Sequence, residues 1–578
     1  MTFAERKTPA RLASPAARKL PRKILFWVMI AYIIAGLYGR DPWKTDDLVG
    51  IATMMSALEE NHWLSTYIGV LPYPELGPLT HIIGGVFIYL FSPLFEFFVS
   101  PAQAHNILAA RLPNFFYFFS MLWGVWYGTY LLARRPEAQP LHLPFGGEPN
   151  PRDYGRMIAD VALLFLLASV GIVIRLHETS YFPLLMAIYG VAFYGFVRFL
   201  DHPTQGSLVL GTMLVAAFMT RGVVGVTPLL LVSLSLFITR IYNLRLKVFL
   251  FISLLLATLL SVVWLASTYN IDPEWVVNWW DYQRQLFSLS HWLETPKNLR
   301  DLSWFLWPCW PFALLALWNW RQWFDTPHIF IPTSFVIANL LVIFTTARAF
   351  EPEYAPLTIA FAILAALAIP TLKRSLINLL DWYSIMVVSF ALIAIWVGWV
   401  ALHFGIPQQI HHNIMRLIPG FDTRILWINV IAGIIICIFW YRLVAWRIKS
   451  NPKAMWRGLT LAAAGTTITW FLLSALWLPA INYNRSYRTV GESFAQLKLP
   501  AKTCIRGENL GEGQRAAFYL FGNVHFSQDE ACRYMLLQTN KESLLNSSFK
   551  NPSIIWQGQR DSERHGETFL LIDLKTQK

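Results

Sequence analysis

The chain has 578 residues, of which 55% are hydrophobic and only 14% charged. Soluble domains carry about a quarter charged residues, so this composition, with its many long apolar runs, excludes a large soluble enzyme and defines a polytopic α-helical membrane protein. The formal charge of +13 does not imply nucleic acid as a partner. The basic residues cluster in short loops between apolar runs, as the positive-inside rule expects, and no zinc-finger spacing or Gly-rich nucleotide loop is present.

Taken in order, Arg6, Lys7, Arg11, Arg18, Lys19, Arg22 and Lys23 precede an apolar run starting near Ile24, with no small-residue cleavage site after it. This predicts an uncleaved first transmembrane helix with a cytoplasmic N-terminus. Directly behind it comes Tyr38-Gly-Arg-Asp-Pro-Trp-Lys-Thr-Asp-Asp47. Asp46 and Asp47 stand where an apolar helix has just ended, with Arg40 and Lys44 close by and Trp43 between those two. One reading is a solvated cap for a helix starting at Leu48. The other is chemistry at the membrane boundary.

Thirteen apolar runs are candidate spans: 24–39, 108–133, 158–174, 180–199, 207–219, 222–239, 247–268, 301–320, 328–345, 354–370, 378–402, 424–444 and 457–478. A further run, 79–98, is set apart on charge. Without it, Arg134, Arg135, Arg240, Arg245, Lys247, Arg321, Lys373, Arg374 and the Arg442–Arg457 cluster all fall inside; counting it moves nearly all of them out. The expectation is a juxtamembrane or re-entrant helix in a long first outer loop, where His81 and Glu96 suit an interfacial position. An odd number of spans then places the C-terminus outside. The organisation expected is a transmembrane domain over 1–479 and a small soluble α/β domain over 480–578, with strand-like runs at Ala517–Phe521 and Phe569–Ile572. Cys309 and Cys437 lie in apolar runs and are expected to pack as small hydrophobes. Cys504 and Cys532 are a candidate disulfide, worth about 3–4 kcal/mol in the chain-entropy model.

The same topology gathers six polar clusters on the outer face: Asp46 with Asp47; Pro72 to Pro78 with Glu75; Arg175, His177 and Glu178; an aromatic-rich loop from Asp272 to Arg300 with Arg284; Arg348 to Tyr354; and His403 to Arg424. Acids, bases and Trp at a water boundary suit a sugar-phosphate lipid. Aromatic rings stack on sugars and Arg forks match phosphate. The Trp-rich loop also reads as a plain interfacial belt, and Arg175 and Arg221 as snorkelling helix ends.

Several of these segments carry a family likeness. Trp43-Lys-Thr-Asp46-Asp47 with Ala57-Leu-Glu-Glu-Asn-His-Trp63, Tyr73-Pro-Glu75-Leu-Gly-Pro78, Ala110-Arg111-Leu-Pro113, Met219-Thr-Arg221-Gly222, Tyr282-Gln-Arg284, Thr346-Ala-Arg348 through Tyr354-Ala-Pro356, and Leu478-Pro-Ala480 to Arg485-Ser486 follow one another in a specific order and spacing. Over roughly residues 24–490 the chain resembles the GT-C glycosyltransferases of the protein mannosyltransferase superfamily, in the bacterial branch containing the aminoarabinose transferase of lipid A. The resemblance implies about 13 transmembrane helices, a periplasmic C-terminal domain, and transfer of a sugar from an undecaprenyl-phosphate donor to a lipid or glycan acceptor at the outer face of the inner membrane. It implies that Asp46 is the general base, with Asp47 tuning or orienting it. Arg284 and Tyr354 match positions used for the lipid phosphate, and Lys44, Arg348, His177, Glu178 and Arg221 complete the expected substrate-binding set. Glu75 matches a site where a divalent metal ion is an optional cofactor. Three departures leave the sugar and acceptor open. Leu76-Gly77 replaces the family's Lys after the turn Glu. His177-Glu178 stands in the loop of its second acid without that motif. Arg134 to Arg156 carries an inserted polar stretch. Two rival classes are a transporter or flippase of a lipid-linked sugar, and an assembly factor acting through its C-terminal domain. The first places ionisable groups at helix centres and in repeats, which this sequence lacks.

Overall fold

The computed structural model describes residues 6–574 except 18–19, 44, 100–102, 143–145, 288–294, 347–350, 450–456, 501–502, 530–531, 540–552 and 564–565. After α1 (Arg22–Ile34) the chain forms α2 (Thr45–Glu59), a small hairpin of β1 (Tyr67–Ile68) and β2 (Leu71–Pro72), and α3 (Leu79–Glu96). The bundle continues with α4 (Ala104–Ala133), α5 (Pro151–Ala168), α6 (Ile172–Arg175), α7 (Phe182–Arg198), α8 (Pro203–Ile238), α9 (Leu244–Ile271) and α10 (Pro273–Gln285). Then come α11 (Thr295–Phe305), α12 (Cys309–Asn319), α13 (Pro327–Thr345), α14 (Glu351–Ala368), α15 (Arg374–Phe404), α16 (Gln408–Leu417), α17 (Trp427–Lys449) and α18 (Arg457–Arg485).

Among the described residues, eight helices are long and apolar enough to cross a bilayer. Their burial separates centre from rim. In an 18-residue stretch of Pro352–Thr371, which contains most of α14, 94% of the residues are buried, whereas in such a stretch of α17 only 17% are. α17, like α9 and α15, presents large apolar side chains outward, among them Leu255, Phe390, Ile393 and Ile435. That is the surface expected toward lipid tails.

The runs 207–219 and 222–239 form α8, but not one straight rod. Gly222 has φ +66° and ψ −143°, a region L side chains avoid. The first limb runs parallel to α9: Ser207 bonds the Phe249 carbonyl, and Phe218 packs on Trp264. Only Thr239–Asn243 separates the second limb from the start of α9, so that limb must run back the other way. Arg221 and Gly222 therefore form the tip of a helical hairpin. The run 301–320 is likewise split, into α11 and α12 at Trp307-Pro308; proline cannot continue the ladder of hydrogen bonds.

Basic loops gather at one end of the bundle. Arg134 pairs with Asp201 at 3.1 Å, Arg6 with Asp325 at 2.6 Å, and Arg11 N–H bonds the Pro370 carbonyl. α3 meets the length criterion for a span, yet neither of its ends goes to that face. Gly77, just before it, donates to the Thr220 carbonyl beside the hairpin tip. Ser92 near its other end faces Asn106, about 7.5 Å along α4 from Arg111 at 1.5 Å rise per residue.

The last span continues to Arg485, past the expected boundary at 479. Beyond it lie α19 (Arg488–Ala495), β3 (Ile505–Glu508), α20 (Glu512–Gly522), β4 (Phe526–Ser527), β5 (Tyr534–Thr539), β6 (Ser553–Gly558) and β7 (Thr568–Asp573). The strands order β4-β3-β5-β7-β6, with β3 parallel to β4 and β5, and β7 antiparallel to β5 and β6. Phe569–Ile572 is a strand, as expected. Ala517–Phe521 is instead the buried face of α20. A short apolar run does not distinguish the two by itself; here the helix ends on Asn523 in the left-handed conformation. Cys504 and Cys532 are disulfide-bonded, with Cα atoms 5.1 Å apart.

This domain docks along α2. Arg488 grips Asp41 with Nη2 at 2.6 Å and Nε at 3.1 Å. The Tyr519 hydroxyl donates to Glu59 at 2.6 Å. Asn482, on the exit helix, accepts from Trp43 Nε1 at 2.7 Å.

Candidate active site

The first turn of α2 places its two acids in different surroundings. Asp47 is fully buried. Its Oδ1 accepts from Thr179 N and Oγ1, both at 2.7 Å, and its Oδ2 lies 3.3 Å from both Arg40 Nη2 and Arg111 Nη2. α2 is pressed onto this strip of chain: a Cβ on Gly50 would stand 2.2 Å from the Thr179 carbonyl oxygen, so only glycine allows the approach. Burial alone would raise the Asp47 pKa, but Arg111, Arg40 and Thr179 together hold it below the usual carboxylate value. A solvated helix cap does not describe this residue.

Asp46 is 19% exposed and pairs with Arg175 at 3.1 Å. Burial pushes its pKa up, against the pull of Arg175. The same Arg175 Nη1 lies 3.0 Å from Glu178 Oε2, and Glu178 Oε1 is 3.6 Å from Arg40. Arg111, Asp47, Arg40, Glu178, Arg175 and Asp46 thus form one alternating chain of three cations and three acids. Burial raises the Glu178 pKa to about 7 despite Arg175 and Arg40.

Of these six groups only Asp46 lines a cavity of about 680 Å³. Facing it are Glu75 and Arg221, with Tyr73, Tyr282, Gln285 and Leu286. Arg221, at the hairpin tip, lies 3.1 Å from Glu75 Oε1 and 3.0 Å from Glu353 Oε1, with its guanidinium over the Tyr181 ring at 4.9 Å. Burial works to raise the Glu75 pKa, but Arg221 and the Tyr73 and Tyr282 hydroxyls bring it below the usual value. The turn itself is held by Gln283, whose Oε1 accepts from Val223 N at 2.9 Å.

The expected site residues therefore divide. Asp46, Glu75 and Arg221 meet in the cavity, while Asp47 and Glu178 support Asp46 from behind. His177 is buried, its ring nitrogens 2.6 and 2.9 Å from the Val173 and Tyr32 carbonyls, away from the cavity lining. Tyr354 donates to Asn298 at 3.1 Å and is not among the lining residues. Arg284 is exposed and paired with Asp281; the cavity is met by its neighbours Tyr282 and Gln285. Lys44 and Arg348 lie outside the described residues. Glu75 does not fit a metal site: a guanidinium already occupies its coordination side, and no group of three His, Cys, Asp or Glu able to hold an ion occurs among the described residues. Arg40, Arg111 and Glu353 are structural partners outside the expected site set, although all three lie in segments that the sequence marks. Arg111 had a signal, since a charged side chain inside an apolar helix usually faces a partner.

The fold defined by this bundle, with its acid-bearing loop helix and appended sheet domain, is the GT-C membrane fold. In particular, the chain superposes on ArnT from Cupriavidus metallidurans bound to undecaprenyl phosphate, with a TM-score of 0.64 and 13% identity, covering 95% of this chain and 97% of that one. The apo state of the same protein gives a TM-score of 0.63 at 13% identity, over 96% and 98% of the two chains. No protein-family model and no curated protein matches the sequence.

Proposed function

We propose that the chain is an inverting glycosyltransferase that moves a sugar from an undecaprenyl-phosphate donor to a lipid or glycan acceptor at the periplasmic face of the bacterial inner membrane. The observation that carries it is that Asp46 alone opens the buried ion network to the cavity. The fold shared with a protein solved with undecaprenyl phosphate supports the choice of lipid carrier. The grouping of basic loops at the opposite end of the bundle supports a cytoplasmic N-terminus and a periplasmic C-terminal domain.

In this reading the acceptor oxygen attacks the anomeric carbon while the carbon–oxygen bond to the lipid phosphate breaks. Asp46 takes the acceptor proton, and undecaprenyl phosphate leaves with the bonding pair. Asp46 suits the base role because burial raises its pKa toward the working range while Arg175 fixes its direction. Arg221 is the cavity cation placed to meet phosphate charge. Asp47 pairs with both Arg40 and Arg111 beneath the site.

The test is mass spectrometry of lipid A and polyprenyl-phosphate pools in a deletion strain complemented with wild type or Asp46→Asn. The expected result is loss of one acceptor sugar with accumulation of its lipid-linked donor in both defective strains. A wild-type profile from Asp46→Asn rejects the mechanism and leaves the transporter reading as the better one.

A further inference from the structure

The cavity has a roof that belongs to the C-terminal domain. Tyr487 and the first turn of α20, Glu512 to Gln514, line it together with Asp46. The roof is close: a Cβ on Gly513 would lie 3.2 Å from Thr45 Cα, one residue before the proposed base. Gln514 and Tyr487 are held by a single buried carboxylate, Glu567, the residue before β7. Glu567 accepts from Gln514 Nε2 at 3.1 Å, Tyr487 Oη at 3.2 Å, Gln538 Nε2 at 3.3 Å and Arg560 Nε at 3.2 Å. An ionised carboxylate only accepts, so it fixes the Gln514 amide with its nitrogen inward and the Tyr487 hydroxyl pointing away from the cavity. The roof then presents to the cavity the Gln514 amide and the Tyr487 ring, which has the Arg560 guanidinium 4.9 Å over it. An aromatic ring beside a fixed amide matches a hydroxylated ring, with apolar C–H faces and polar edges.

We propose that Tyr487 and Gln514 form a saccharide subsite and that Glu567 is its positioning residue. This rests on the transferase reading above: lipid phosphates meet the membrane-side wall at Arg221, so a roof carried by the soluble domain meets the polar end of a substrate. That end is the donor's sugar or the acceptor's sugar head group.

The experiment is equilibrium binding to the full chain in lipid nanodiscs. The probes are bare undecaprenyl phosphate, undecaprenyl phosphate carrying glucose, mannose or aminoarabinose, and lipid A. Gln514→Ala and Glu567→Gln are compared with Arg533→Ala, which alters the distant Arg533–Asp573 pair. The two roof variants are expected to bind a saccharide-bearing lipid about five- to tenfold more weakly, as for loss of one or two neutral hydrogen bonds. Bare undecaprenyl phosphate and the Arg533→Ala protein should be unaffected. A loss confined to the donors assigns the subsite to the donor sugar; one confined to lipid A assigns it to the acceptor. Unchanged affinity for every saccharide-bearing lipid, in variants whose melting temperature matches wild type, overturns the proposal. Failure of the wild type to bind any of these lipids instead counts against the transferase reading itself.

Discussion

Arg175 Nη1 lies 3.1 Å from Asp46 Oδ2, and this one bond ties the cavity acid to the buried ion network. It also sets the direction of a pH effect. Burial raises the Asp46 pKa and Arg175 lowers it, so removing the guanidinium leaves the upward push less opposed. A general base works only when ionised, and activity is lost as pH falls through its pKa. Arg175→Gln is therefore expected to shift the acid limb of the rate profile to higher pH, with activity recovering in alkaline buffer. The pH dependence of kcat/KM checks this. An acid limb that stays put or moves down would show that Asp46 is not the titrating base.

Asp46 and Asp47 are chemically identical neighbours with opposite expected phenotypes. Asp46→Asn should lose about 10²–10⁴ in turnover while changing stability by about 1 kcal/mol or less. Asp47→Asn should instead destabilise the fold by about 3–5 kcal/mol, because Arg40 and Arg111 are left buried with less countercharge. Thermal unfolding of both purified variants at one scan rate, beside their activities, separates the two. Equal loss of stability would mean that both acids are structural.

The tip of the α8 hairpin gives a third expectation. Alanine at position 222 must adopt φ +66°, and its Cβ would stand 2.4 Å from Gln283 Oε1. Gly222→Ala should destabilise the protein by about 1–3 kcal/mol and raise KM for the lipid donor, since Arg221 sits on the same turn. Unchanged melting temperature and KM would argue against the broken helix.

Much of this architecture is written in short-range signals. Apolar run lengths and the placement of Lys and Arg supplied the bundle and its basic end, while the run 79–98, set apart on charge, forms a helix that is itself long and apolar enough to span. The acid pair after α1 supplied Asp46. The ion network was less legible, because it joins residues up to 138 positions apart, as in the pairing of Arg40 with Glu178, and no local pattern encodes such a meeting. Position within a turn was also hidden. Arg284 and Tyr282 are two residues apart on α10, about 200° around the helix, so one faces solvent and the other the cavity. The roof was missed for the same reason: nothing in Gly511-Glu-Gly513 shows which surface the helix behind it will dock against.

Glu178 supplies a test of that long-range network through stability alone. It is fully buried, and its carboxyl is raised from 4.5 to about 7 by burial, with Arg175 and Arg40 opposing. For a carboxyl whose folded pKa exceeds its unfolded one, the folded state binds the proton more tightly. Its contribution is thus fully present below the unfolded value near 4.5 and is lost as pH rises through about 7. Glu178→Gln carries a neutral group at every pH and lacks this dependence. The melting temperature of wild type minus that of the variant should therefore fall between pH 5 and pH 8. Asp47 titrates in both proteins with its pKa held low, so its effect largely cancels in the difference. A gap that widens with rising pH would mean that Arg175 and Arg40 outweigh burial, leaving Glu178 ionised throughout and the network with a fixed charge where a protonatable one is expected.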